Sequence, residues 1–136
     1  MISTPSPRVW DTRRREKQRR IASLGLNHKV LPTDDLIPML EKLIAPGDRV
    51  VLEGNNQKQA DFLSRSLAEV NPQKIHDLHM IMPSVGRSEH LDIFEKGIAR
   101  KLDFSFSGTQ SLRISQLLED GLLEIGAIHT LSLIHI

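Results

Sequence analysis

Val50-Val51-Leu52-Glu53-Gly54-Asn55-Asn56-Gln57-Lys58-Gln59-Ala60-Asp61-Phe62-Leu63 is the stretch whose reading decides the fold. The β-branched and apolar run 50–52 has the length and composition of a buried strand. It leads into a polar turn, Glu53-Gly54-Asn55-Asn56, and then into a helical pattern. Ala60, Leu63, Leu67 and Val70 recur at spacings of three and four, which places them on one helical stripe. Strand, turn and helix form the unit from which open α/β sheets are built, and ligands in such sheets gather beyond the carboxyl ends of the strands. Backbone N–H groups at the helix start have no intrahelical partner and point into that space. Asn55, Asn56 and Gln57 put three amide side chains in a row, a composition suited to a polar ligand or a partner's carboxylate. Capping of the helix, worth about 1 kcal/mol, explains Asn55 or Asn56 as well, and spacing alone does not separate the two readings.

Working outward, the pattern repeats. Downstream, Asn71-Pro72 stops the helix, and a second strand is expected over 76–82, with Leu78, Met80 and Met82 alternating against His79 and Ile81. A loop over 83–88 holds Gly86, and a helix over 89–99 turns Leu91, Phe94 and Ile98 inward. A third strand over 102–106 ends at Ser107-Gly108-Thr109. A helix carrying Leu112, Leu117 and Leu118 then runs to Gly121, before a last strand over 123–128 and His129-Thr130. Upstream, residues 25–32 are a break. A helix starts at Asp34 or Asp35 as N-cap, tolerates Pro38 in its first turn, and faces Leu36, Leu40, Leu43 and Ile44 inward. Ala45-Pro46-Gly47-Asp48 is a turn into the first strand. Alternating strands and helices predict an α/β fold, an open, mostly parallel sheet with flanking helices and right-handed crossovers.

In a parallel sheet the polar strand ends fall along one rim. Glu53-Gly54-Asn55-Asn56 with Gln57, then Ser105, Ser107 and Gly108, and finally His129-Thr130 form three such ends. These residues are the candidate site, although turn chemistry explains each end separately. His76 and His79 are three apart on an expected strand, which puts them on opposite faces and argues against a metal site.

Composition bounds the function class. A chain of 136 residues with 39% hydrophobic content fits a domain with a core of its own. Eighteen Lys and Arg against seventeen Asp and Glu, with 4% aromatic residues, argue against a general nucleic-acid binder. Cysteine is absent, which excludes a disulfide framework and thiolate zinc sites. No apolar run is long enough for a membrane span, no signal-peptide pattern is present, and a cytoplasmic location is expected. Residues 1–7 are expected to be loosely placed. Arg8, Arg13, Arg14, Arg15, Lys17, Arg19 and Arg20 then surround Trp10 and Glu16. This basic segment is either a clamp for phosphate or a solvated helix lying across the domain through Trp10, Ile21 and Leu24.

Several blocks in order resemble the malonate decarboxylase alpha subunit family. They are Leu52-Glu53-Gly54-Asn55-Asn56-Gln57-Lys58-Gln59-Ala60-Asp61-Phe62-Leu63, His76-Asp77-Leu78-His79-Met80, and Glu89-His90-Leu91-Asp92-Ile93-Phe94-Glu95. Leu102-Asp103-Phe104-Ser105-Phe106-Ser107-Gly108 and Ile125-Gly126-Ala127-Ile128-His129-Thr130 continue the series, and Trp10-Asp11 with its Arg-rich sequel fits the family's start. The resemblance implies a CoA-transferase-like domain and an acyl-carrier-protein transferase. Such an enzyme exchanges the acetyl group of a carrier thioester for malonate and releases acetate. It implies no permanently bound cofactor, action on the phosphoribosyl-dephospho-CoA prosthetic group of the carrier, and as partners the acyl carrier protein and the decarboxylase subunits. Thioester chemistry needs donors aimed at an oxyanion. The N–H groups at Gly54 and Asn55 and the amides of Asn56 and Gln57 suit that role, with Ser105, Ser107 and Gly108 as further binding residues and Glu53 and His129 as catalytic candidates. Glu53 is either a nucleophile or an orienting group for the turn.

The chain departs from the family pattern in two places. The loop Pro83-Ser84-Val85-Gly86-Arg87-Ser88 is less apolar, and Leu131-Ser132-Leu133-Ile134-His135-Ile136 does not continue the family sequence. The expected organisation is a basic arm over 1–33, the first part of a CoA-transferase-like domain over 34–130, and a non-native tail over 131–136. On that reading the chain is a fragment without full activity. The alternatives are a phosphate- or nucleotide-binding α/β module of another class, or a basic-arm nucleic-acid binder.

Overall fold

The computed structural model describes residues 7–26, 30–53, 61–106 and 108–128. Four strands, β1 (Arg49–Val51), β2 (Leu78–Ser84), β3 (Ala99–Phe106) and β4 (Glu124–Ile128), form one sheet in the order β1-β2-β3-β4. Every neighbouring pair is parallel, with Val51 beside Ile81, Ile81 beside Asp103 and Phe104 beside Ile128. Helices α3 (Asp61–Ala68), α4 (Glu89–Glu95) and α5 (Ser111–Glu119) connect successive strands. A strand order that follows the sequence, joined by right-handed crossovers, puts all three helices on one face of the sheet.

Burial agrees with that geometry. Leu78, Met80, Met82 and Leu102 are fully buried, together with Leu67 of α3, Leu91 and Phe94 of α4 and Leu117 of α5. Strand residues of the other parity look away from this core. Arg49, Val51 and Lys101 are exposed, and His79, Ile81 and Ser105 are half-buried. The connecting helices α3, α4 and α5 therefore all pack on one face of the sheet. A monotonic strand order also leaves no switch point in this part of the sheet, the feature that opens a ligand crevice in doubly wound folds.

Element boundaries shift by small amounts. The first strand is Arg49–Val51 rather than 50–52, and β2 begins at Leu78 rather than His76 and takes in Pro83 and Ser84 from the expected loop. α4 ends at Glu95 because Gly97, at φ +75°, reverses the chain, so Ala99 opens β3 instead of closing the helix. Leu63 is exposed on α3, where Ser64, Ser66, Leu67 and Ala68 are buried, so the core stripe is rotated from the expected one. The expected helix near Asp34 starts as a 3-10 turn, Thr33–Asp35, followed by α2 (Leu36–Leu43), with no side-chain cap from Asp35. Pro38 sits in the first turn of α2 as expected. Ile37 and Leu40 of α2 pack against the edge of the core.

The basic segment is helical, α1 (Pro7–Ser23), and Trp10 and Ile21 line the cleft between it and the body. Trp10 and Ile21 are half exposed. Its anchor is polar: Arg20 donates to the Leu43 carbonyl at 3.1 Å and approaches Asp48 at 3.6 Å, and Lys17 reaches Asp48 at 4.0 Å. Asp48 also accepts the Ala45 N–H at 3.0 Å, so one carboxylate fixes both the turn into β1 and the seat of the helix. No described helix is long and apolar enough to cross a membrane.

Candidate functional site

Strand direction decides where the candidate residues fall. All four strands run the same way, so β1, β2, β3 and β4 end at one edge of the sheet. Glu53 stands two residues past Val51, and Ser105 two past Asp103, and these reference residues share a row through Ile81. The strand ends therefore bring Glu53 and Ser105 to the same rim, separated by β2 and hence by about 10 Å, two interstrand spacings. That distance excludes direct contact, and Pro83 of β2 stands in the row between them. Glu53 is exposed and Ser105 half-buried, both on the parity of the face opposite α3, α4 and α5.

Gly108 follows β3 at φ +50° and opens the 3-10 turn Gly108–Gln110. Its carbonyl accepts the Ser111 hydroxyl at 2.8 Å, which ties the turn to the start of α5. Gly54, Asn55, Asn56, Gln57, Ser107 and His129 lie outside the described residues. Of the candidate set, the structure thus places Glu53, Ser105 and Gly108 at the carboxyl edge.

The histidines behave differently from the sequence reading. His76 precedes β2 rather than lying in it and bonds Asp77 at 2.8 Å through Nδ1. His79 lies on the face opposite α3, α4 and α5, where Nε2 comes within 2.9 Å of Asp103 Oδ1. Nε2 has no hydrogen-bond partner among the described residues, so the approach is a charge contact. Both side chains are largely shielded, at 16% and 12% exposure. Gly126 of β4 gives the Asp103 carboxylate its space, since a β-carbon there would collide with it and stand 2.8 Å from Lys101 Cε. No group of three or more metal-ligating side chains occurs among the described residues.

His90 is a further residue that periodicity did not single out. It is buried on α4, and neither ring nitrogen has a hydrogen-bond partner among the described residues. Burial pushes its pKa below the ordinary value; Glu89 and Asp61 oppose that shift, and Arg87 adds to it. The sequence signal for His90 is its place on the inward stripe with Phe94. The signal for His79 with Asp103 is weaker, because it depends on a register that no single strand reveals.

Comparison with known proteins adds an independent line. The model of the family described as "Malonate decarboxylase, alpha subunit, transporter" matches residues 9–135. An acetyl-S-ACP:malonate ACP transferase from Malonomonas rubra is 45% identical over 126 residues, 90% of this chain and 23% of that protein. A malonate decarboxylase alpha subunit from Acinetobacter baumannii is similar in structure, with a TM-score of 0.82 at 73% identity over 89% of this chain and 23% of that one. A chain of a Pseudomonas malonate decarboxylase hetero-tetramer, solved in complex with malonate, gives a TM-score of 0.84 at 76% identity, covering 93% and 23%. The chain spans about 23% of the length of each of these relatives.

Proposed function

The chain belongs to the malonate decarboxylase alpha subunit family, and from that premise we propose that it forms part of an acyl-carrier-protein transferase. In this reaction the malonyl group replaces acetyl on the carrier thioester, and the displaced acetyl leaves with one oxygen of the reacting malonate carboxylate. The products are malonyl carrier and acetate. The observation that carries the reading is 45% identity over 126 residues to a protein named for that activity. The relative solved as a hetero-tetramer with malonate supports a multi-subunit setting and a dicarboxylate substrate. A CoA-transferase-like domain, the carrier's phosphoribosyl-dephospho-CoA group and a cytoplasmic location belong to the same proposal.

Residue roles follow from the chemistry. Attack on a thioester places negative charge on its carbonyl oxygen, and neutral donors fixed in advance stabilise that charge. Gly54, Asn55, Asn56 and Gln57 supply N–H and amide donors next to Glu53, which is at the rim. Ser105, Ser107 and Gly108 offer small polar groups from the strand two places along, suited to a carboxylate of malonate. Glu53 as nucleophile and His129 as a proton-handling group are the catalytic candidates. The division between a basic arm over 1–33 and the α/β body is supported by α1, whose residues are nearly all exposed.

A hybrid tests this reading. The segment matching residues 9–128 replaces its counterpart in the Pseudomonas subunit, and transfer of labelled malonate onto acetyl carrier is measured. The hybrid is expected to transfer label at a rate within about tenfold of the parent, while this chain alone shows none. A hybrid that assembles but transfers nothing, or turnover by this chain alone, contradicts the proposal.

A further inference from the structure

The cleft between α1 and the body holds a second set of functional groups. It lies at the amino-terminal end of the strands, opposite the rim, with Arg49 and His79 on its floor. Its volume of about 870 Å³ falls in the range of small-molecule sites. Trp10, Arg13 and Arg14 of α1 form the facing wall.

Charge is distributed unevenly. Residues 1–23 carry seven basic and two acidic side chains, whereas the remainder carries eleven and fifteen. Inside the cleft, Lys17 and Arg20 are held by Asp48, which seats the helix. Arg13, Arg14 and Arg49 pair with no acid among the described residues. Glu16 is the other acid of the cleft, so cations remain in excess. Guanidinium forks match phosphate oxygens, and a half-exposed indole offers a flat apolar surface to a base. We propose that the α1 cleft binds a phosphorylated nucleotide, its base on Trp10 and its phosphates on Arg13, Arg14 and Arg49. One indole and a bounded pocket fit a single nucleotide rather than a strand, since strand binding uses successive stacking platforms. The site is independent of the proposed transferase rim.

Trp10 is the sole tryptophan of the chain, so its fluorescence reports stacking directly. ADP titrated into the purified full chain is expected to quench that fluorescence saturably, and inorganic diphosphate to reverse the quench. Arg14→Ala with Arg49→Ala is expected to raise Kd at least tenfold. Arg15→Ala with Arg19→Ala removes the same charge outside the cleft and should leave Kd within twofold, with circular dichroism confirming α1 in both variants. Absence of a saturable quench at millimolar ADP overturns the proposal, and so does equal weakening by the two pairs. A single-stranded oligonucleotide that binds a hundredfold tighter than ADP, with steep salt dependence, overturns it in favour of nucleic acid.

Discussion

His79 Nε2 and Asp103 Oδ1 stand 2.9 Å apart on neighbouring strands, on the face of the sheet opposite α3, α4 and α5. Register explains the meeting. His79 lies beside Lys101, and in a parallel pair the next residue of the same parity, Asp103, is its diagonal neighbour. A shielded pair interacts more strongly than one in water, but each partner also loses hydration. The net coupling expected from a double-mutant cycle with His79→Gln and Asp103→Asn is about 0.5–2 kcal/mol in urea denaturation. Strict additivity of the two substitutions contradicts a coupled pair.

Gly126 is expected to be intolerant of even one added carbon. A β-carbon there collides with the Asp103 carboxylate and comes within 2.8 Å of the flexible Lys101 Cε. Gly126→Ala should cost about 1–3 kcal/mol, the usual range for overpacking. In an Asp103→Ala background the obstacle is gone and the cost should fall below about 1 kcal/mol. An equal cost in both backgrounds shows that the carboxylate is not the obstacle.

His90 gives the fold a defined acid sensitivity. Its folded pKa lies below the ordinary 6.5, chiefly through burial. As pH falls through that ordinary value the unfolded chain takes up the proton first, so stability drops across the interval down to the folded pKa and is unaffected above it. His90→Leu is expected to flatten the change in urea midpoint between about pH 7.5 and about pH 5. At the higher pH it should be neutral or stabilising, because neither ring nitrogen has a hydrogen-bond partner among the described residues. An unchanged slope assigns the acid sensitivity to other groups.

Arg113 joins α5 to α4 at three points. Its guanidinium donates to Asp92 at 2.8 Å, to Glu95 at 3.1 Å and to the Ser88 carbonyl at 2.7 Å. Partial exposure limits each contact, but the planar fork serves all three at once. Arg113→Ala should lower stability by about 1–2 kcal/mol, and Arg113→Lys should restore less than half of it, since an ammonium cannot span the same acceptors. Full recovery with lysine reduces the contact to simple charge.

Most of the architecture was legible because apolar periodicity and turn residues agree. Leu78, Met80 and Met82 alternate as a strand must, and Leu91 and Phe94 keep helical spacing. The shortened α4 turned on Gly97, whose positive φ is a helix stop that a run of favourable residues hid. The polar anchor of α1, Arg20 on Asp48 and the Leu43 carbonyl, is not signalled by hydrophobicity, which points to Trp10 and Ile21. At the candidate site, Glu53 and Ser105 reach a common rim because parallel strands end together, a consequence of topology that alternation foretells. The pairing of His79 with Asp103 and the need for Gly126 depend on register between strands, which local sequence does not encode.

The rim is tested most directly by the rate of label transfer in the hybrid subunit carrying Asn55→Ala and Asn56→Ala together. Assembly into the hetero-tetramer should be unchanged, and transfer of malonate onto the carrier should fall at least about 100-fold, the scale set by loss of oxyanion donors. A doubly substituted hybrid that assembles and transfers label at the unsubstituted rate contradicts a site at these strand ends.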